Sequence, residues 1–414
     1  MQETITTPTM SAPSRSSVST QDRSSATGHA SSTDPQPSKP SVAPPPGKSK
    51  GPNSGASVRR MRRIIAEDAE WSLAIVPLLR ELCIQHIVKN FQNNPILKQL
   101  PPEDQQKVLN HLSPDLPLAV TANLIDDEGY WSRCCMQRWP VCYVAKYGGS
   151  WKRMFFERHL ENLLKYFIPG TTDPAVILDL LPLCRNYVRR IHVDQFLPPV
   201  QLLPRPRSGE QSDSGSEGEM EEPAMDHYQL GDLVAGLSHL EELDLVYGVK
   251  DCGMNFEWNL FLFTYHDCHS LAATIKACHT LKIFRLTRSK VDDDKARILI
   301  RSLLDHPALE ELDLSHNLIG DRGGRAAAKL LSHSRLRVLN LANNQDGGKQ
   351  LLEGMSDNRT LLEFDLRLSD VSQESEYLIG QALCANREAA RQRALNPSHF
   401  MSPITAKGPE NPVG

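Results

Sequence analysis

Leucines recur at fixed offsets in the second half of the chain. Five segments follow the pattern L-x-x-[LF]-x-L, and they begin at Leu240, Leu281, Leu309, Leu336 and Leu361. Apolar and polar residues alternate inside each segment with the period of a strand that buries one face. First leucines lie 28 residues (281 to 309) and 27 residues (309 to 336) apart, which leaves room for a helix behind each strand. These are leucine-rich repeats, so we predict an α/β solenoid over residues 229–390 with a parallel sheet on its concave face.

The unit that begins at Leu336 is shorter than its neighbours, because the next first leucine follows after only 25 residues. Alignment of NLIGDRGGRAAAKLL with NQDGGKQLLEGM superimposes Asp321 on Asp346 and leaves Gln345 opposite the three residues 318–320. The unit therefore lacks the buried isoleucine of the strand-to-helix turn. This pattern is typical of an array from which whole repeats have been removed, with a seam near residues 345–346.

The first 200 residues follow other patterns. Residues 1–57 are rich in Ser, Thr and Pro, so they cannot bury enough apolar surface to offset their ordering entropy, and a disordered tail is predicted. Helical spacing of apolar residues predicts an α-helical module over residues 58–200, with helices at PEDQQKVLNHL and WKRMFFERHLENLLKYF. Its first helix is predicted to begin after Asp68, with the apolar positions Leu73, Val76, Leu79, Cys83 and Ile87. The aromatic residues predicted for its core are Trp131, Trp139, Trp151, Phe155 and Phe156.

Two further segments complete the predicted organisation. Residues 201–228 read as an acidic, flexible insert that contains PRPRSGEQSDSGSEGEMEEPAMD, and residues 391–414 read as a C-terminal tail. Ser214 and Ser216 each have a glutamate three residues later, a pattern that acidophilic kinases use, although a plain solvated linker is the favoured interpretation. Four arginines precede the helical module, and this basic cluster is either a solvated flank or a contact for an acidic surface. Its members are Arg59, Arg60, Arg62 and Arg63.

Composition restricts the classes of function. The chain has 414 residues, 40% of them hydrophobic and 23% charged, with a net charge of −4, which argues against a general nucleic-acid binder. No apolar run approaches the roughly 20 residues of a membrane helix, so an intracellular protein without membrane contact is expected. The nine cysteines form no CxxC pair, and we expect reduced thiols and no cofactor. A zinc site built from Cys252, His266, Cys268, His269, Cys278 and His279 fits no known finger or ribbon spacing.

Strand alternation indicates which side chains face the concave surface of the predicted array. If Leu312 and Leu314 point inward, then Glu311, Asp313 and Ser315 point outward to the concave sheet. The same offset in all units selects a set in which six carboxylates outnumber two arginines. The candidate protein-binding residues are Glu242, Asp244, Arg285, Glu311, Asp313, Asn340, Glu363, Asp365 and Arg367. They are either ordinary solvated positions or the receiving surface for a basic segment of a partner.

Several long segments together resemble one known family. These segments are RRMRRIIAED, EWSLAIVPLL, GGSWKRMFFERHLENLL, SDSGSEGEMEEP and ESEYLIGQALCANREAARQRALNPSHF. They resemble the family of dynein regulatory complex subunit 5, also called t-complex-associated testis-expressed protein 1, and the resemblance covers nearly the whole chain from about residue 58. Members of that family carry further repeats between the positions that match Gln345 and Asp346. The chain therefore looks like a form that lacks them, as alternative splicing would produce.

The resemblance implies a non-enzymatic scaffold subunit of the nexin–dynein regulatory complex in the axoneme of motile cilia and sperm flagella. Its partners would be other subunits of that complex, with microtubules or dynein contacted indirectly. Residues 100–139 have the leucine, proline and tryptophan rhythm of an F-box, so a ubiquitin-ligase substrate receptor is the alternative. A GTPase activator would need a catalytic arginine on a loop, whereas Arg285 and Arg288 lie on or after a strand. An innate-immune receptor would need a nucleotide-binding module, which the sequence lacks.

Overall fold

The computed structural model describes residues 62–63, 75–199, 226–345 and 348–395. The predicted tail 1–57, residues Arg59 and Arg60, and the phosphorylation candidates Ser214 and Ser216 lie outside these ranges. Within them, no helix is long and apolar enough to cross a membrane.

The first described elements differ from the predicted first helix. Strand β1 (Arg62–Arg63) pairs in an antiparallel fashion with β2 (Ile75–Val76), and helix α1 begins only at Leu79 and ends at Asn90. Residues 75–76 were predicted to be helical, and that prediction is wrong. Pro77 explains the difference, because a proline disfavours helical backbone at the residue before it. Leu79, predicted to lie on the apolar stripe, is 76% exposed.

Six α-helices and a 3₁₀ turn follow in the described residues before the main sheet. The helices predicted at PEDQQKVLNHL and WKRMFFERHLENLLKYF are confirmed as α2 (Pro102–His111) and α5 (Trp151–Lys165). The other elements are α3 (Leu118–Thr121), α4 (Glu128–Arg138), a 3₁₀ turn (Val144–Tyr147), α6 (Ala175–Leu178) and α7 (Leu181–Cys184). The side chain of Ser150 caps α5 by accepting a hydrogen bond from Arg153 N at 3.2 Å.

The predicted aromatic core of this module is confirmed. The ring of Trp131 is fully buried, and its centroid lies 5.1 Å from that of Phe155 and 5.3 Å from that of Phe156. Trp139 is buried as well, whereas Trp151 is half-buried against the same cluster. Tilted ring pairs at these distances contribute beyond the area that they bury.

The described residues form one six-stranded parallel sheet whose spatial order follows the chain. Its strands are β3 (Arg190–Val193), β4 (Glu242–Leu245), β5 (Ile283–Leu286), β6 (Glu311–Asp313), β7 (Val338–Asn340) and β8 (Glu363–Asp365). Helices separate the strands, and one more helix follows the last strand. They are α8 (Gly231–Gly236), α9 (Tyr265–Ala277), α10 (Asp293–Leu303), α11 (Asp321–His333), α12 (Gly348–Met355) and α13 (Gln373–Leu395). The chain is thus mixed α/β.

Apolar strand residues pack against these helices, as the leucine pattern predicts. In the unit that begins at Leu309, the side chains of Leu309, Leu312 and Leu314 are 3%, 0% and 1% exposed. Asn317 satisfies backbone groups at the turn. Its Nδ2 donates to the carbonyls of Leu286 at 2.8 Å and Leu314 at 2.9 Å, which removes unpaired backbone acceptors from the interior.

Three predicted boundaries differ from the observed elements. Strand β3 lies inside the range 58–200 that we predicted to be a helical module, so the sheet begins one strand earlier. Val188, Ile191 and Val193 have the same spacing as the template leucines and are buried. The flexible insert was predicted to extend to residue 228, but the structure describes residues 226–228, and the side chain of His227 is only 3% exposed. Helix α13 continues to Leu395, five residues beyond the predicted end of the array.

The predicted seam falls beside residues 346–347, which are outside the described ranges. On either side of it the sheet is continuous, because β7 pairs with β8 in register. Helix α12 has 8 residues, against 13 in α11. Where the preceding unit buries Ile319, the side chain of Val371 from the following unit approaches Gly348. A Cβ at Gly348 would lie 2.5 Å from Val371 Cγ1.

Candidate protein-binding surface

The strand residues that do not face the helices, together with Arg367 just after β8, form a surface that we call the acidic face. It comprises Glu242, Asp244, Arg285, Glu311, Asp313, Asn340, Glu363, Asp365 and Arg367, the set selected from the sequence. Parallel pairing arranges these side chains in rows across the sheet. Glu311, Val338 and Glu363 are register partners on β6, β7 and β8, and the next row holds Asp313, Asn340 and Asp365. Neighbouring members of a row are about 4.8 Å apart.

Arg285, on β5, lies at the centre of the N-terminal half of the acidic face. Its Nε donates to Glu311 Oε1 at 2.8 Å, and its Nη1 pairs with Glu242. Asp244 lies 4.0 Å away from the same nitrogen. Burial alone would lower the pKa of Arg285, but the hydrogen-bonded carboxylates outweigh that effect and raise the pKa. One arginine therefore binds three strands together and neutralises part of the face.

His192, on β3, adds a residue that the sequence reasoning missed. Its Nδ1 lies 2.8 Å from Asp244 Oδ2, and this hydrogen bond raises the pKa of His192 against the opposing effect of burial. The face thus extends to β3. The signal was present in the spacing of Val188, Ile191 and Val193, but β-branched residues replace the leucines there.

In the C-terminal half of the acidic face, fewer carboxylates are paired with a cation. Asp313 Oδ2 accepts a hydrogen bond from Asn340 Nδ2 at 2.9 Å, which adds no charge. Asp365 pairs with Arg367 at 2.6 Å, and this hydrogen bond lowers the pKa of Asp365. Glu363 is exposed. Among the described residues, no cation lies within ion-pair distance of Asp313 or Glu363.

One outward-facing prediction is wrong. Ser315 is 4% exposed, although strand alternation placed it on the open surface with Glu311 and Asp313. Strand β6 ends at Asp313, and the backbone N–H of Ser315 donates a hydrogen bond to Asp313 Oδ1 at 2.9 Å. The backbone therefore turns before the alternation can continue. The rule of two-residue alternation holds only while the chain stays extended.

The remaining candidates from the sequence are placed as follows. Arg62 and Arg63 of the basic cluster form β1. Arg288, considered for a GTPase activator, is exposed in a turn with φ +50°, and Arg285 lies on a strand inside the ion-pair network. The described residues hold no group of three or more His, Cys, Asp or Glu side chains that could bind a metal ion.

Comparisons with known proteins give a consistent set of relatives. Proteins named Dynein regulatory complex subunit 5 from Macaca fascicularis and Homo sapiens are each 70% identical over 501 residues, and the matches cover 100% of both chains. A protein of the same name from Chlamydomonas reinhardtii is 33% identical over 225 residues, which is 54% of this chain and 50% of its own length. No protein-family model matches the chain.

Proposed function

Because the chain belongs to the family of dynein regulatory complex subunit 5, we propose that it acts as a scaffold, through protein–protein contacts and without catalysis of its own. The chain is a subunit of the dynein regulatory complex of cilia and flagella, located in the axoneme. Its partners are other subunits of that complex. The comparisons give no support to the alternative of a ubiquitin-ligase substrate receptor. The observation that carries the scaffold proposal is an ordered sheet face whose charges are incompletely paired.

We further propose that the sheet and its helices form a leucine-rich-repeat solenoid, with the acidic face on the concave side. Support comes from a repeated hydrogen-bond pattern at the turns. Asn344 repeats the role of Asn317, because its Nδ2 donates to the carbonyls of Leu314 and Leu341, each at 2.9 Å. These two units thus use their asparagines to bond to the preceding unit, which is how stacked repeats are held together.

The proposed array is a shortened one. The match to the Macaca relative extends over 501 residues, whereas this chain has 414, so 501 − 414 = 87 residues of the relative have no counterpart here. That difference is close to three repeats of the 27 or 28 residues measured in this chain. Loss of whole repeats leaves strand pairing intact, because each strand meets an equivalent neighbour.

We propose that the acidic face receives a basic segment of a neighbouring subunit of the complex. The C-terminal half is the best receiving site, since Glu311, Asp313, Glu363 and Asp365 surround the neutral residue pair Val338 and Asn340. A Lys/Arg-rich helix laid across β7 would bring its cations within reach of both rows of carboxylates. Charge complementarity of this kind mainly sets orientation and association rate.

The test replaces four carboxylates with neutral isosteres, Glu311→Gln, Asp313→Asn, Glu363→Gln and Asp365→Asn. A matched control neutralises four exposed carboxylates elsewhere, Asp305→Asn, Glu353→Gln, Asp357→Asn and Glu388→Gln. Both proteins are used to capture complex subunits, identified by mass spectrometry, from axonemal extract over a range of salt. We expect slower capture and a flatter salt dependence for the first variant alone. Unchanged capture and salt slope would remove the acidic face as the docking surface.

The basic cluster is proposed as a separate contact with an acidic surface, such as a microtubule wall. Four cations within five residues repel one another unless they are neutralised, and exposed ion pairs are weakened by salt. Reversal of all four charges (Arg59, Arg60, Arg62 and Arg63 to Glu) should weaken axonemal retention at low salt. Retention equal to that of the parent protein would contradict this contact.

We also propose that Ser214 and Ser216 are phosphorylated, which phosphopeptide mapping of axonemes would detect.

A further inference from the structure

A second charged surface lies on the helix side of the sheet, in a groove of about 750 Å³ between α10 and α11. Five cations line it, two from α10 and three from α11, and we call this surface the basic groove. Its cations are Arg297, Arg301, Arg322, Arg325 and Lys329. The single carboxylate in the lining belongs to Asp294.

The charge of the basic groove is largely uncompensated within the chain. Asp294 Oδ1 is shared between Arg297 at 3.2 Å and Arg322 at 3.5 Å. The other three cations, Arg301, Arg325 and Lys329, are exposed and have no ion-pair partner among the described residues. Like charges stand at positions i and i+4 on both helices: Arg297 and Arg301 on α10, and Arg325 and Lys329 on α11. Repulsion at this spacing destabilises a helix. The folded chain itself therefore gains nothing from this arrangement.

The lining also restricts the chemistry of an occupant. Between the cations, the side chains of Ile298, Leu304 and Ala326 are only partly buried and form an apolar floor. The lining residues include no aromatic ring on which a nucleic-acid base could stack. Carboxylate side chains interleaved with apolar ones match the groove better.

We propose that the basic groove binds an acidic amphipathic helix of a partner protein. The cations of α11 stand at offsets of three and seven residues from Arg322, which at 1.5 Å per residue spans about 10 Å. A helix with glutamates at positions i, i+3 or i+4, and i+7 repeats that spacing, and its apolar face meets the floor of the groove. The acidic face and the basic groove lie on opposite sides of the sheet, so one subunit contacts two partners of opposite charge. This inference does not depend on occupancy of the acidic face.

Fluorescence anisotropy on the full chain tests the proposal with a defined probe. The probe is a labelled 16-residue helical peptide with glutamates at these offsets and leucines on the adjoining face, and its control has glutamine at each glutamate. The groove variant is Arg301→Gln, Arg325→Gln and Lys329→Gln. A matched variant removes three exposed cations elsewhere, Lys276→Gln, Arg335→Gln and Arg391→Gln. Circular dichroism verifies that both variants fold.

We expect the groove variant to bind the glutamate peptide about tenfold more weakly at low salt, and the matched variant to stay within about twofold of the parent. Equal losses in the two variants would show diffuse attraction and overturn the proposal. Equal binding of the glutamine peptide would do the same, as would tighter groove-dependent binding of a single-stranded oligonucleotide. If the peptide binds only after Glu217, Glu219, Glu221 and Glu222 are changed to Gln, the occupant is the chain's own insert and not a partner.

Discussion

At the β3 edge of the described sheet, the carboxylate of Glu157 accepts the hydrogen bonds from Arg189 and Arg190 that a neighbouring strand would otherwise accept. Glu157 Oε1 accepts hydrogen bonds from the backbone N–H of Arg189 at 2.8 Å and of Arg190 at 3.1 Å. In a later unit the two corresponding N–H groups, of Leu362 and Glu363, donate to the main-chain carbonyl of Arg337, the residue directly before β7. The side chain on α5 thus closes an edge that would otherwise offer unpaired backbone groups to another chain.

Removal of this carboxylate should be costly, and the cost should depend on what replaces it. Glu157→Ala leaves two part-buried N–H groups without an acceptor, and each such group costs about 1 kcal/mol, the lower end of the range for buried groups. Glu157→Gln keeps one oxygen acceptor, so we expect a smaller loss. Urea unfolding of the three proteins measures the difference. If Ala and Gln reduce the free energy of unfolding equally, the edge hydrogen bonds do not stabilise the fold.

Glu161, one turn later on α5, should make stability depend on pH. It accepts a hydrogen bond from His192 N at 3.2 Å, and burial raises its pKa to about 7 from an ordinary value of 4.5, although Arg190 opposes the shift. The folded state therefore binds this proton more tightly than the unfolded state does. The free energy of unfolding should fall by about 1–3 kcal/mol as pH rises from about 4.5 to about 7.

Comparison with Glu161→Gln tests this effect, because the two proteins differ only in this carboxyl group and in its influence on the neighbouring His192, whose pKa Glu161 helps to raise. Urea unfolding at pH 5, 6, 7 and 8 should show the parent losing stability relative to the variant as the pH rises. A constant difference between the two proteins over that range would mean that Glu161 does not titrate with a raised pKa.

Two glycines should respond in opposite directions to the same substitution. A Cβ at Gly354 on α12 would lie 2.6 Å from the backbone of Ala328 on α11, so Gly354→Ala must separate the helices and should cost about 1–3 kcal/mol. A Cβ at Gly380 on α13 meets nothing within 4 Å, and Gly380→Ala should raise stability by about 0.5–1 kcal/mol. Thermal unfolding gives both values. A neutral Gly354→Ala would show that the close approach of α11 and α12 is not needed.

The seam should be the first part of the array to open. A cavity of about 10 Å³ remains there, lined in part by Ile319, Leu341 and Val371, and it is barely large enough for one water molecule. Since a buried branched side chain is missing from this unit, local packing is weaker. Hydrogen exchange should show earlier opening at residues 344–350 than at the equivalent residues 317–325 of the preceding unit. Uniform protection across the array would contradict the prediction.

The sequence determined the repeating part of the fold. The leucines of the template were found to be buried, and Asn317 bonds the turn, because strand alternation and turn chemistry are local properties of the chain. Eight of the nine residues selected for the acidic face lie on its strands for the same reason, and Arg367 follows two residues after the end of β8. Where the chain leaves the extended conformation, as at Ser315, the local rule fails.

Only the tertiary structure decided which residues close and neutralise the array. Glu157 and Glu161 lie on an ordinary amphipathic helix, and their role exists because β3, about 30 residues later, packs its open edge against them. The repeat spacing specifies the register, which places Arg285 in a row with Asp244 and Asp313. It does not specify that the guanidinium reaches diagonally to pair with Glu242 and Glu311. Hydrophobic periodicity encodes which face of an element is buried, whereas the partner of a charge depends on contacts between elements distant in sequence.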